Sequence, residues 1–214
     1  MILYEEQMEL FALIGKNISR DIECYAFGGT AMMFYGYKDE TKDIDLVFDE
    51  EAAKREFIKA LERLGYEKTS ALNIYAPEKL KDKHAPAMYR REDSRFDIFS
   101  RKIFKTILSP KMKEDVYAVH DFKHKHNLRL KVLRKEHIVM LKAVTERKND
   151  FDDIRTIAEK EKSFDWQYLT DEAIWHYRHG DKWVLLDVEK MMRELKQHIF
   201  IEKKYLKQLY DAHG

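Results

Sequence analysis

The stretch that decides the predicted fold is Phe27-Gly28-Gly29-Thr30, followed by Thr41-Lys42-Asp43-Ile44-Asp45-Leu46. The glycines end a predicted strand at residues 23–27, and Thr30 is predicted as the N-cap of a short helix. Acidic and apolar residues then alternate from position 43 to 49, which indicates a second strand. Because successive strand residues face opposite sides, Asp43 and Asp45 share one face, and the apolar residues between them pack into a core.

This pair of carboxylates predicts a metal site. Two like charges in a small volume are unfavourable unless cations neutralise them, and hard divalent ions prefer carboxylate and phosphate oxygens. A third carboxylate is predicted on the strand Arg95-Phe96-Asp97-Ile98-Phe99, where Asp97 faces away from the apolar residues. If the two strands are neighbours, Asp43, Asp45 and Asp97 converge and can hold two Mg2+ or Mn2+ ions. The alternative for Asp43 and Asp45 is a solvated strand end.

The glycines beside these aspartates predict a phosphate-binding turn. Because they have no side chains, Gly28 and Gly29 let backbone N–H groups approach a phosphate closely, and Thr30 adds a hydroxyl at a helix N-terminus. Together with the aspartates, this turn favours a nucleoside triphosphate (NTP) as the substrate. A tight turn and a helix cap are the alternatives for the same residues.

Outside this region, the hydrophobic pattern predicts an α/β domain at residues 1–134 and a helical domain at 135–214. Helices are predicted at residues 1–14, 50–64, 136–147, 150–160, 170–177 and 187–210. Further strands are predicted at residues 67–75, 87–91, 95–100, 116–121 and 127–132. Gly15 and Gly65 are predicted to end helices, and residues 77–86 are predicted to form an exposed loop. The predicted fold class is therefore α/β, with a mixed sheet flanked by helices and a helical C-terminal half.

Composition narrows the class of protein. The 40 basic and 39 acidic residues give a net charge of +1, so no global charge favours nucleic acid or a membrane surface. The single cysteine, Cys24, cannot form an intrachain disulfide. The longest uncharged stretch, residues 24–37, is too short for a membrane span, and the acidic N-terminus is unlike a signal peptide. We therefore expect a cytoplasmic protein without a membrane partner.

These residues resemble the nucleotidyltransferases of the DNA polymerase beta superfamily, whose signature is a glycine pair, a short helix, Asp-x-Asp and a separate Asp. The resemblance covers residues 23–100 and is strongest to small prokaryotic members, including the nucleotidyltransferase-like toxins of abortive-infection systems and antibiotic nucleotidyltransferases. It implies a nucleotidyltransferase fold and transfer of a nucleoside monophosphate from an NTP to an acceptor hydroxyl of RNA such as tRNA, of protein or of a small molecule. It also implies a role in a toxin–antitoxin system, with an antitoxin protein as a partner.

The resemblance extends more loosely into the helical half. Lys142, Arg147, Asp150 and Asp153 are similar in spacing to the Lys…Arg-x-x-Asp-x-x-Asp helix of the toxin-like members. By that similarity Lys142 contacts the triphosphate. The alternative is a surface lysine paired with Glu136 or Glu146. The chain departs from the family at Asp39, where many relatives carry arginine.

Three other readings stay open. A catalytically silent nucleotide- or partner-binding module of the same fold is the main alternative to the enzyme. Arg193-x-x-x-x-His198 matches a short motif of helical, metal-independent ribonucleases, which helices rich in Arg and His also match by chance. A basic segment could follow a nucleic-acid backbone or form a solvated hairpin. Its residues are His120, Lys123, His124, Lys125, His126, Arg129 and Lys131.

Overall fold

The computed structural model describes residues 1–70, 84–145, 147 and 149–214. Most of the predicted loop at 77–86 and the second half of the predicted strand at 67–75 lie outside these residues. The chain divides into two compact units, Met1–Leu133 and Arg134–Gly214.

The first unit contains all eleven described strands and four of the described helices. The strands are β1 (Ile2–Leu3), β2 (Ile22–Ala26), β3 (Glu40–Thr41), β4 (Ile44–Phe48), β5 (Glu67–Thr69), β6 (Ala87–Arg91), β7 (Ser94–Ser100), β8 (Lys102–Ile103), β9 (Thr106–Ile107), β10 (Val116–Lys123) and β11 (Asn127–Leu133). The helices are α1 (Tyr4–Asn17), α2 (Gly28–Phe34), α3 (Glu51–Arg63) and α4 (Pro110–Glu114).

The main sheet has the strand order β10-β11-β2-β4-β7-β6-β5, with β8 and β9 attached to β7. The β11–β2 and β4–β7 pairs are parallel, whereas the other neighbours in this order are antiparallel. The sheet is therefore mixed, and the predicted α/β class is confirmed. The parallel β4–β7 pair matters most for the site, because it joins the two strands that carry the predicted metal ligands.

One face of the sheet forms the core of this unit. Apolar residues of β2, β4, β7 and β11 pack there with residues of α1 and α3, such as Phe11 and Phe57. Ile44, Leu46 and Ile98 are fully buried on this face. Removing these side chains from water favours one strand orientation, because a slip of one residue would place them on the opposite face.

The N-terminal prediction needs a correction. The predicted helix at residues 1–14 begins only at Tyr4, since β1 precedes it and pairs with β3. The helix also continues past Gly15 to Asn17. A Cβ atom at Gly15 would lie 2.9 Å from the backbone oxygen of Phe122. This glycine therefore allows α1 to pack closely on β10 and does not end the helix.

The second unit consists of helices. They are α5 (Lys135–Thr145), α6 (Asp150–Lys160), α7 (Trp166–Arg178), α8 (Val184–Leu195) and α9 (Lys203–His213). Apolar residues such as Ile157, Leu169 and Val188 are fully buried. Helix α7 begins earlier than predicted because the Asp165 side chain accepts a hydrogen bond from the Tyr168 N–H at 2.9 Å. In the described part of the chain, no helix is both long and apolar enough to cross a membrane.

The predicted final helix at residues 187–210 is wrong, because the chain forms two helices with a break between Leu195 and Lys203. The N–H groups of Gln197 and His198 bond to carbonyls three residues back, so the helix tightens as it ends. Beyond this turn Phe200 is exposed, whereas Ile201 is buried. The irregular segment thus buries Ile201.

The burial of His176 predicts that the helical unit loses stability in acid. His176 lies 3.8 Å from the Glu172 carboxylate, and the His137 ring lies 3.4 Å from the same group. Burial lowers the pKa of His176 to about 4; His137 and His179 act in the same direction, and Glu172 opposes them. As the pH falls, His176 therefore binds a proton in the unfolded chain before it does so in the folded protein. The contribution of His176 to the free energy of unfolding is fully present above pH ~6.5 and is lost as the pH falls toward 4. At pH 5 the loss is about 2 kcal/mol.

Urea unfolding at pH 7.5 and pH 5 measures this effect. The variant His176→Gln should lose most of the pH dependence, whatever its absolute stability. His124→Gln, which changes an exposed histidine between β10 and β11, should retain it. An unchanged pH dependence in His176→Gln would show that another group is responsible.

Candidate active site

The three predicted metal ligands lie together in the structure. Asp45 and Asp97 are direct neighbours in the parallel β4–β7 register, and Asp43 immediately precedes β4. One carboxylate oxygen from each residue lies within 4.8 Å of the other two. Asp45 and Asp97 are buried, and the Asp43 side chain is partly exposed. In the described part of the chain, this is the only group of three or more such side chains close enough to hold a metal ion.

The geometry of the three carboxylates fits a divalent ion. Mg2+ binds oxygen at about 2.1 Å, so opposite ligands of one ion lie about 4.2 Å apart. One oxygen from each carboxylate lies within 4.8 Å of the other two, which is compatible with this spacing. Carboxylates without histidine or cysteine favour Mg2+ or Mn2+ over zinc.

Gly28 brings α2 against the aspartates. Its φ angle is +58°, a left-handed conformation that favours glycine. A Cβ atom at this position would lie 2.9 Å from Asp45 Cγ and closer still to one carboxylate oxygen. At Gly29 a Cβ atom would overlap the hydroxyl of Thr41. Gly28 therefore allows α2 to pack closely on β4, and Gly29 allows it to pack closely on β3. The contact of both glycines with phosphate stays a prediction.

Thr30 has a different local role from the predicted one. The N-cap of α2 is Phe27, which is extended, so the interpretation of Thr30 as a helix cap is wrong. The Thr30 hydroxyl is buried and accepts a hydrogen bond from the Asp45 backbone N–H at 2.8 Å. Thr30 thereby fixes the start of β4, and its contact with a triphosphate stays a prediction.

Arg95 is a site residue that the sequence reasoning missed. Its Nε donates to Asp97 at 2.9 Å, and its terminal nitrogen donates to Asp43. Burial alone would lower the pKa of Arg95, but Asp97 and Asp43 outweigh it and raise this pKa above its ordinary value. The guanidinium therefore stays charged and neutralises part of the negative charge. The available signal was its position two residues before Asp97, which places both side chains on one face of β7.

Lys142, in the second unit, is not the surface lysine of the alternative reading. It is buried, and its ammonium donates to Asp153 at 2.6 Å and to Asp150 at 3.1 Å. Glu136 instead accepts from Arg134, and Glu146 lies outside the described residues. Burial alone would raise the pKa of Asp150, but Lys142 and Arg147 outweigh it and hold this pKa below its ordinary value. The four residues singled out by the resemblance therefore lie together, while contact of Lys142 with a triphosphate stays a prediction.

The variant Lys142→Met should lower the free energy of unfolding by about 3 kcal/mol, because the buried Asp150 and Asp153 lose their shared cation. Urea unfolding measures the loss. Lys207→Met, on an exposed position of α9, is the control and should change stability by less than about 0.5 kcal/mol. Equal stabilities of the two variants would show that the buried ion pairs contribute little.

The basic segment forms the β10–β11 hairpin, and several of its charges have acidic partners. Arg129 bonds to Asp121 at 2.9 Å, and Lys131 lies 3.0 Å from Glu23. His120 instead packs on the ring of Phe34. The paired residues agree better with a solvated hairpin than with a continuous basic track.

The two residues of the ribonuclease motif each contact another residue. Arg193 lies in the last turn of α8, and both its Nε and a terminal nitrogen donate to Glu189. His198 follows the end of that helix and lies near the ring of Phe151. Nothing in this geometry favours a ribonuclease over the aspartate site.

The sequence comparisons do not add a family assignment. No protein-family model matches the chain, and no curated protein matches it.

Proposed function

We propose that this chain is a metal-dependent nucleotidyltransferase of the DNA polymerase beta superfamily, transferring a nucleoside monophosphate from an NTP to an acceptor hydroxyl. The convergence of Asp43, Asp45 and Asp97 carries the proposal, because Asp45 and Asp97 pair directly across two parallel strands. The position of Gly28 supports it, since only a residue without a side chain allows α2 to begin against Asp45.

The residues of the cluster have distinct roles in this proposal. Asp43 and Asp45 would hold the divalent ions together, and Asp97 would contribute a further ligand on the acceptor side. Mg2+ or Mn2+ would supply neutralising charge for the triphosphate and for the acceptor oxygen. Gly28, Gly29 and Thr30 are the proposed triphosphate contacts within the first unit.

The reaction is a single displacement at phosphorus. The acceptor hydroxyl oxygen forms a bond to the α-phosphorus of the NTP, and the bond between that phosphorus and the pyrophosphate oxygen breaks. Asp97 assists removal of the hydroxyl proton, and pyrophosphate leaves. Because β4 and β7 pair directly, the backbone holds Asp45 and Asp97 side by side, which favours an ordered site.

Transfer of label tests the proposal. The purified protein is incubated with each NTP labelled at the α-phosphate, with Mg2+ or Mn2+, and with a cell extract that contains tRNA and protein. The expected result is labelled acceptor with release of pyrophosphate, and no labelling in the presence of EDTA. Transfer that resists EDTA, or no transfer with any NTP, would contradict the proposal. The class of labelled molecule would identify the acceptor.

Arg95 favours one alternative, a catalytically silent binding module of the same fold. Its guanidinium already bonds to two of the three aspartates and supplies part of the charge that a divalent ion would supply. A silent module predicts that Mn2+ does not raise the melting temperature of the protein. The enzyme predicts an increase that depends on ion concentration.

The biological setting belongs to the same proposal. A toxin–antitoxin role and an antitoxin partner follow from the family resemblance, and a cytoplasmic location follows from the composition. Co-purification of a neighbouring gene product that suppresses the transfer reaction would support the toxin–antitoxin role. Unchanged transfer activity in the presence of that product would contradict it.

A further inference from the structure

Three tyrosines form a continuous stack at the far end of α2. The Tyr35 ring lies between two others, with its centroid 4.9 Å from that of Tyr37 and 3.7 Å from that of Tyr117. The interplanar angles are 7° and 19°, so the three rings are close to parallel. Tyr37 is buried at one end of the stack, and Tyr117 is 52% exposed at the other. The stack therefore ends in a flat aromatic ring that contacts water.

The protein backbone positions this ring. The Tyr35 hydroxyl donates to the Leu133 carbonyl oxygen at 3.5 Å, and the Tyr37 N–H bonds to the Met32 carbonyl at 3.0 Å. The β10–β11 register shifts between Val116 and Ala118, so Tyr117 is the extra residue of a bulge. Bulges change the direction of a side chain relative to a regular strand. The strand thus departs from regular pairing at the residue whose ring lies on Tyr35.

The stack lies in the same row of the sheet as the aspartates. Leu46 pairs with Ala26, Ala26 with Val132, and the next residue along β11, Leu133, pairs with Val116. The Phe27 N–H also bonds to the Asp45 carbonyl, which continues the row at the metal-ligand end. From β4 to β10 the row crosses three strand spacings of about 4.8 Å each, which places the Tyr117 position about 14 Å from Asp45.

We propose that Tyr117 is a base-stacking residue for a single-stranded nucleic-acid acceptor whose 3′ end reaches the aspartates. This inference rests on the proposed function, since it specifies the acceptor of the same site. Every nucleobase has a flat face that stacks on an aromatic ring, so the contact requires no particular sequence. A distance of about 14 Å corresponds to about four stacked nucleotides at 3.4 Å each. The acceptor is therefore held several nucleotides away from its reacting hydroxyl.

The nearby charges predict how this binding depends on salt. Lys131 and Arg129 lie on the neighbouring strand, and each already has an acidic partner, Glu23 and Asp121 respectively. These two cations are therefore less available to replace the counterions of the phosphates. Stacking should dominate the affinity, and the logarithm of the dissociation constant should change little with the logarithm of the salt concentration.

Binding of a 5′-labelled RNA hexamer of adenylate to the full chain tests the proposal. Tyr117→Ala should raise the dissociation constant about 5- to 100-fold, the range expected for loss of one aromatic–base stack. Tyr117→Phe retains the ring and should bind like the wild type. Tyr117→Leu retains apolar bulk without a flat ring and should resemble the alanine variant. Val119→Ala changes the next exposed apolar residue of β10 and should have no effect.

Oligonucleotide length gives a second readout. A dinucleotide whose 3′ end lies at the aspartates is too short to reach the stack, so its binding should not respond to Tyr117→Ala. A DNA hexamer in a parallel titration shows whether the sugar matters. Equal binding of the RNA hexamer by the wild type and by Tyr117→Ala would overturn the proposal, as would binding of the hexamer restored by Tyr117→Leu.

The test separates this inference from the proposed function. NTP and Mn2+ should raise the melting temperature of Tyr117→Ala as much as that of the wild type. If they do so while neither protein binds the hexamer, the acceptor inference fails and the proposed chemistry stands. If the hexamer binds through Tyr117 but no NTP is turned over, the nucleotidyltransferase proposal fails instead.

Discussion

Replacement of Asp45 by asparagine is expected to reduce nucleotidyl transfer by about 10^3-fold or more, because the site loses a buried carboxylate proposed to hold both ions. Asparagine has nearly the shape of aspartate, so the β4–β7 pairing should persist. The change also removes one of three like charges, and the apo protein should not lose stability. Label transfer measures the activity, and the Mn2+-dependent increase in melting temperature should disappear.

Asp49→Asn is the matched control for this variant. Asp49 directly follows the same strand, but it lies outside the aspartate cluster and bonds to Lys113 at 3.1 Å. It should retain activity and the Mn2+-dependent increase in melting temperature. If Asp45→Asn and Asp49→Asn have equal activity, the aspartate cluster is not the catalytic site.

Gly28→Ala is expected to cause the largest structural effect of a single added methyl group. The methyl group would meet the Asp45 carboxylate, and the residue would keep a φ angle of +58°. Left-handed backbone costs about 1–2 kcal/mol for a residue with a side chain, and overpacking adds about 1–3 kcal/mol. We expect a loss of about 4 kcal/mol in the free energy of unfolding and loss of Mn2+ binding.

The variant Gly36→Ala separates the cost of the left-handed backbone from the cost of the clash with Asp45. Gly36 also has a positive φ, +70°, but a Cβ atom there would meet no atom within 4 Å. It shares the backbone cost and lacks the clash, so the difference between the two variants measures the contact with Asp45. Equal losses in urea unfolding, with Mn2+ binding preserved in both, would show that Gly28 only makes a turn.

The sequence was most informative where alternation and burial act together. In β4 and β7 alternate apolar residues determine which face joins the hydrophobic core. The sequence could therefore predict that Asp45 and Asp97 lie on the other face. Their direct pairing could not be predicted, because strand order depends on connections that no local pattern encodes. The α/β class followed from the same local patterns and needed no knowledge of strand order.

The failures have related physical causes. Arg95 was missed because its contact with Asp43 joins residues that are distant in sequence. Gly15 was read as a helix stop because its packing partner, Phe122, lies on a distant strand. The break before α9 was missed because the charged residues around it suit a helix, whereas burial of Ile201 does not. Each error reflects a tertiary contact that outweighs local preference.

The parallel pairing of β4 with β7 makes ion binding a consequence of completed folding. Asp45 and Asp97 come from distant parts of the chain, and a parallel pair can form only after the connection between its strands has crossed back. The unfolded chain therefore lacks the site, and an ion that binds only the folded unit shifts the folding equilibrium by mass action. Under the proposed function, the concentration of divalent ions would control the fraction of folded protein as well as its rate of catalysis.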